Sequence, residues 1–122
     1  MNEEIKDLRI RTKKFSLRII TMFTKLPKSS HAQIIGKQVL RSGTSVGANY
    51  REAFRARSSA EFISIMGICL KELEETIYWL ELLVESNIVK KEKLDSLYDE
   101  CNQLIAIFVT IIKNKRKNFH NS

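Results

Sequence analysis

The sequence predicts an all-α fold, an antiparallel up-down-up-down four-helix bundle, on three observations. Apolar residues recur at alternating spacings of three and four through four separate segments, which is the pattern of helices with a buried face. The 122 residues include one proline and four glycines, so little interrupts those segments. Stop and capping signals fall between them. No strand pattern competes, and neither an internal repeat nor a domain linker is visible.

The first helix is predicted from about Glu3 to Leu26, with Ile5, Leu8, Thr12, Phe15, Ile19, Met22 and Leu26 on one face. Pro27 stops it, because a proline ring disfavours the helical conformation of the residue before it. Ser30 followed by Gln33 reads as a capping box that opens the second helix. That helix carries Ile35, Val39, Ser42, Val46, Asn49, Ala53 and Ala56 in the same spacing. Ser58 with Glu61 is a second capping box. The third helix follows it with the seam Ile63, Met66, Leu70, Leu73, Ile77, Leu80 and Val84. Asn87 suits a helix end, since asparagine tolerates the left-handed conformation found there. The fourth helix shows Leu94, Leu97, Cys101, Leu104, Phe108 and Ile111, and its pattern gives out at Lys113–Lys117. Each segment covers roughly 22–28 residues, about 33–42 Å of helix. Similar lengths with short connections favour alternating directions. The expected organisation is one domain over residues 1–117 and a disordered polar tail over 118–122.

The second and third helices carry more apolar surface than one buried face needs. Gly36, Leu40, Gly43, Gly47, Tyr50 and Phe54 form a stripe beside the seam of the second helix. Phe62, Ile65, Cys69, Glu72, Thr76, Trp79 and Leu83 do the same on the third. Glycines remove side chains and let another backbone approach. Gly43, Gly47, Tyr50 and Phe54 are therefore candidates for an interface between copies of the chain. The alternative is that the wide stripe lies within the core of one copy. Polar residues in this region need partners, because a buried amide or carboxylate without one costs a few kcal/mol. Arg41, Asn49, Glu52 and Glu72 are expected to form a structural polar layer joining the second helix to the third.

Composition narrows the function classes. The net charge is +7, unevenly spread: residues 1–57 hold 13 Lys/Arg against 4 Asp/Glu, residues 58–112 hold 4 against 10, and residues 113–122 add 4 with no acid. A basic half points to a polyanion partner, or to neutralisation by acidic helices. Arg11, Lys14, Arg18 and Lys25 share a face of the first helix; Lys37, Arg41, Arg51 and Arg55 line the second. Arg11, Lys14, Arg18, Arg51 and Arg55, with Lys115, Arg116 and Lys117 beyond, are the candidate nucleic-acid-binding residues, able to neutralise phosphates. A base-reading helical motif is missing, so low sequence preference is expected.

Other chemistries find no residues. A di-iron site needs Glu-x-x-His pairs, and neither His31 nor His120 follows a glutamate at that spacing. No phosphate-cradling glycine loop or nucleophile–base pair is assembled. No catalytic residue, metal ligand or cofactor is expected, and the chain is not expected to be an enzyme. Cys69 and Cys101 lie in apolar helical patterns, as buried free thiols of a reducing cytosol do. The most apolar run, Ile105–Ile112, is too short to span a bilayer. No apolar run follows a basic N-terminal segment, so no secretory signal is expected, and residues 113–119 are too short for a membrane-surface helix.

Small and polar residues also concentrate between Leu40 and Glu75, inside a helical pattern. Arg41, Ser42, Ser45, Val46, Asn49, Glu52, Arg57, Ser58, Glu61, Phe62, Leu70, Glu72 and Leu73 match a signature there. The segment resembles the four-helix bundle family first met as proteins encoded in intervening sequences of 23S ribosomal RNA genes. The likeness extends more loosely along nearly the whole chain. It implies a four-helix bundle and a cyclic homo-oligomer, since family members are known as five-subunit rings. It implies no established activity. Accessory proteins of diversity-generating retroelements look like the same family; they form basic five-fold barrels that bind nucleic acid and a reverse transcriptase. Tyr50 and Arg51 stand where that family more often has small or aliphatic residues, and Phe54 where glycine is common. The expected function is thus a nucleic-acid-binding or accessory scaffold, with RNA or DNA, a reverse transcriptase and further copies of the chain as candidate partners. The alternative is a scaffold for protein–protein interaction alone.

Overall fold

The computed structural model describes residues 3–121, and side chains over 8–118. The predicted contribution of Ile5 therefore lies outside the described residues, as does Ser122. The helices are α1 (Glu3–Thr24), α2 (Ser30–Ala53), α3 (Ser59–Glu85) and α4 (Lys91–Asn121). No helix among the described residues is long and apolar enough to cross a membrane.

Local chemistry sets the ends. α1 tightens at its C-terminus, where the Lys25 and Leu26 amides donate to the Met22 and Phe23 carbonyls, both at 3.1 Å, before Pro27. The capping box read at Ser30 and Gln33 does not form. Ser29, one residue earlier than expected, is the N-cap of α2, and Gln33 Nε2 turns back to the Pro27 carbonyl at 2.8 Å. At α3, Ser58 Oγ accepts from the Glu61 amide at 3.1 Å, the first half of a capping box. α3 ends in a Schellman motif. Asn87 has φ 64°, its amide donates to the Val84 carbonyl, and the Ile88 amide reaches back to the Leu83 carbonyl. α4 continues through the basic stretch to Asn121 instead of ending near Lys117. Lys, Arg and Asn carry no helix-breaking chemistry, so loss of the apolar pattern marks the end of the core and not of the helix.

Each helix packs against the next in sequence. α1 also meets α4, but less closely than any other neighbouring pair. The core between them takes Leu8, Phe15 and Ile19 from α1, Val39 and Val46 from α2, Met66, Leu73 and Leu80 from α3, and Leu104 and Phe108 from α4. Full burial of each such side chain contributes about 1.5–3 kcal/mol.

The stripe assigned above to an interface between copies belongs to the inside of one copy. Gly43, Gly47 and Tyr50 are all buried. A Cβ on Gly43 would lie 2.7 Å from Ile19 Cγ1, and one on Gly47 3.3 Å from Thr12 Oγ1. The glycines let α1, not a second subunit, close onto α2. Tyr50 sits edge-to-face against Phe54 and against Phe108, with centroids at 5.4 and 5.6 Å, so its ring joins α2 to α4 through the core. Phe54 is half-buried beneath the Arg9 guanidinium, 4.8 Å from its centroid.

Of the expected polar layer, Arg41 and Glu72 do join α2 to α3, and Glu75, Ser42 and Thr76 stand in place of Asn49 and Glu52. Arg41 pairs with Glu72 at 3.2 Å and with Glu75, whose Oε1 also accepts from Trp79 Nε1 at 3.2 Å. Deeper in, the hydroxyls of Ser42 and Thr76 meet at 2.8 Å. Asn49 and Glu52 do not take part: Asn49 Nδ2 donates to the Ser45 carbonyl of its own helix, and Glu52 is exposed. A short amide one turn below a helical carbonyl reaches that carbonyl before it reaches a neighbouring helix.

Candidate nucleic-acid interface

The basic residues fall into two places. The first is the side of α1 that faces α4. Arg11 Nε and Nη2 donate to the two Glu100 carboxylate oxygens, both at 2.8 Å, and Nη2 also reaches Gln103 Oε1 at 2.8 Å. Arg18 Nη2 donates to Ser96 Oγ at 2.8 Å. The predicted stripe does share one face of α1, but that face closes on α4. Arg11 is a clasp between helices, which corrects its assignment as a phosphate contact. A bidentate guanidinium–carboxylate pair is directional and leaves little of the charge for an outside anion. Lys14, between the two arginines, is exposed.

The second place is one end of the bundle. Contacts of Arg9 with Phe54, of Tyr50 with Phe108 and of Lys115 with Phe62 bring together the beginnings of α1 and α3 and the ends of α2 and α4. Arg51 projects from the end of α2, Arg55 and Arg57 from the α2–α3 connection, and Lys113, Arg116 and Lys117 from α4; all are exposed. Lys115 is half-buried, its ammonium 5.3 Å from the Phe62 centroid. None of these cations has an acidic partner within 4 Å among the described residues. Glu52 and Glu61 are the carboxylates nearest in sequence. The structure thus gathers Arg51, Arg55, Lys115, Arg116 and Lys117 at one end and leaves Arg11, Lys14 and Arg18 along the α1–α4 seam. Arg9 and Arg57 join the cluster unforeseen. The signal for Arg57 was its place beside the Ser58 cap; Arg9 could be found only through its ring partner.

The two thiols lie away from this surface. Cys69 and Cys101 are fully buried, and burial pushes both thiols up to about 12. Cys69 Sγ donates to the Val46 carbonyl at 3.6 Å.

The 23S rRNA-intervening sequence protein family matches residues 6–110 of this chain. The chain belongs to that family. Within this family member the match covers α2, α3 and most of α1 and α4, whereas Lys113–Lys117 fall beyond it. The chain is also similar to a crystal structure of a protein of unknown function from the S23 ribosomal protein family of Bacteroides thetaiotaomicron. Identity is 36%, coverage is 90% of this chain and 98% of that one, and the TM-score is 0.84. No curated protein matches it.

Proposed function

We propose that this 23S rRNA-intervening sequence protein is a non-enzymatic helical scaffold that binds RNA or DNA through its basic end. The observation that carries the reading is the gathering of Arg51, Arg55, Arg57, Arg116 and Lys117 at one end without acidic partners among the described residues. Such a cluster attracts a phosphate backbone and offers nothing to read bases with. The non-enzymatic part rests on the sequence, which assembles no nucleophile and base. The thiols, protonated at neutral pH, supply no nucleophile either.

The helices are read as running alternately up and down. The order of contacts supports this: Arg11 meets Glu100 and Arg18 meets Ser96, so numbers rise along α1 as they fall along α4. Copies of the chain are read as closing into a ring of five, with a reverse transcriptase or another protein as a further partner. Ile10, Leu17 and Ile20 favour a contact of this kind, since they are 51%, 55% and 42% exposed along the outer side of α1. The same apolar stripe favours the second reading, a protein-interaction scaffold with no nucleic-acid role.

Fluorescence anisotropy with labelled duplex DNA and structured RNA tests the proposal. Affinity should fall steeply with salt, each neutralised phosphate contributing about 0.7–0.9 to the log–log slope. Arg51→Glu with Arg55→Glu should weaken binding to all sequences alike and flatten that slope. Absence of binding at low salt leaves the protein-interaction reading.

A further inference from the structure

A cavity of about 760 Å³ opens at the other end of the bundle, where α1 finishes and α4 begins. Its floor is aliphatic: Met22, Leu26, Ile88, Val89, Leu94 and Leu97. Around it stand Arg18, Lys25, Lys90 and Lys93, and no carboxylate lines it. We propose that this cleft binds a free fatty acid, an aliphatic chain on the apolar floor with its carboxylate among the four cations.

Three features converge on that ligand class. The first is size, because small-molecule sites occupy roughly 300–1,000 Å³ and are mostly apolar with a few placed polar groups. The second is charge. The first turn of a helix favours acidic residues, since its exposed amides carry partial positive charge. α4 instead begins at Lys91 with Lys90 before it and Lys93 after; Lys91 pairs with Asp95 at 2.9 Å and Glu92 lies in the same turn, while Lys90 and Lys93 line the cleft. An anion at the cleft offsets both the lysines and the amides. The third is the chemistry of the floor. No aromatic ring lines the cavity, so a nucleotide base finds nothing to stack on, whereas an alkyl chain meets methyl and methylene groups throughout.

The cleft is also built rather than left over. Asn87 in its left-handed conformation turns the chain so that the Ile88 and Val89 amides both reach the Leu83 carbonyl, at 3.0 and 3.1 Å. That turn satisfies the backbone and presents two aliphatic side chains to the floor. On the facing side, Arg18 is steadied by Ser96. This proposal does not depend on the nucleic-acid reading, whose cations lie at the opposite end.

Isothermal titration calorimetry of the full chain with dodecanoate, kept below its micelle concentration, is the test. One saturable site per chain is expected. Dodecanol, with the same tail and no charge, should bind about tenfold more weakly, and acetate should give no saturable heat. Lys25→Glu with Lys93→Glu should weaken dodecanoate about fivefold or more, with circular dichroism unchanged. Because both are exposed, folding should survive; should it not, the Met22 methyl resonance of the unaltered protein must still shift on titration. No saturable dodecanoate binding, equal affinity for dodecanol, tighter binding of adenosine monophosphate, or an unmoved Met22 signal would each overturn the proposal.

Discussion

The hydroxyls of Ser42 and Thr76 are hydrogen-bonded to one another, 2.8 Å apart, at a point where neither residue is accessible to solvent. Each hydroxyl carries one proton and two acceptor positions. Two carbonyls stand by for the remaining proton: Glu72 at 2.8 Å from Thr76 Oγ1 and Val39 at 3.4 Å from Ser42 Oγ. The pair therefore joins α2 to α3 without an orphaned group, beneath the more exposed Arg41–Glu72–Glu75 cluster.

Thr76→Val keeps the shape and removes the hydroxyl. Urea unfolding should show a loss of about 1–2 kcal/mol, because Ser42 loses its partner inside the core. Adding Ser42→Ala should recover part of that loss, since both polar groups are then gone. An unchanged midpoint in the single variant would remove the pair from the list of stabilising contacts.

The Arg11–Glu100 clasp is partly exposed, 28% on the arginine side, so its worth is modest. Arg11→Ala should lower stability by about 1 kcal/mol, near the upper end for a partly solvated pair. Exchange of the two residues, Arg11→Glu with Glu100→Arg, should restore most of it. Nucleic-acid affinity of Arg11→Ala should stay within about twofold of the starting protein, as one peripheral charge contributes little. A large loss of binding with unchanged stability would return Arg11 to the phosphate-contacting set.

The thiols make a prediction about alkaline pH. Burial raises Cys69 and Cys101 from 9.0 to about 12, desolvation of the thiolate being the largest cause at both. Between those values the folded chain keeps thiol protons that the unfolded chain has lost. The stability they contribute is complete below pH 9 and falls as pH rises toward 12. Cys69→Ala with Cys101→Ala should flatten the decline in unfolding free energy between about pH 9 and 10.5. A thiol-specific chromogenic reagent should react slowly with the folded protein at pH 8 and fully after denaturation. Rapid reaction of the folded chain would contradict the burial.

Much of the bundle was legible from spacing alone. The predicted seam of α1 is the face that packs, and Ser58 and Asn87 mark the ends expected of α3. On α3 the buried face lies between the two predicted seams, taking Met66, Leu73 and Leu80 from one and Cys69, Thr76 and Leu83 from the other. What periodicity cannot do is name the neighbour. Gly43, Gly47 and Tyr50 share a face of α2, but spacing does not say whether α1 or a second subunit covers it. The same limit governs the charges. Arg11 and Arg18 share a face, yet only the position of α4 reveals that Glu100 and Ser96 wait opposite. Asn49 looked like a core amide because its position is right; its short side chain reaches Ser45 first. That Arg51 and Arg55 are exposed was legible, because an exposed cation needs no partner to be read.

The wide approach of α1 to α4 bears on how the chain folds. The close pairings, α1 with α2, α2 with α3 and α3 with α4, all join helices adjacent in sequence. Each can form with only a short loop to close, and topologies dominated by such local pairings fold quickly. The pairing of first helix with last demands the longest closure of the chain, and it is the one least furnished with contacts. Little of the folding barrier is then spent on it: three sequence-adjacent helix pairs can zip in turn, and the seam between the first and last helices, fastened by Arg11 and Glu100, is the step left for the end.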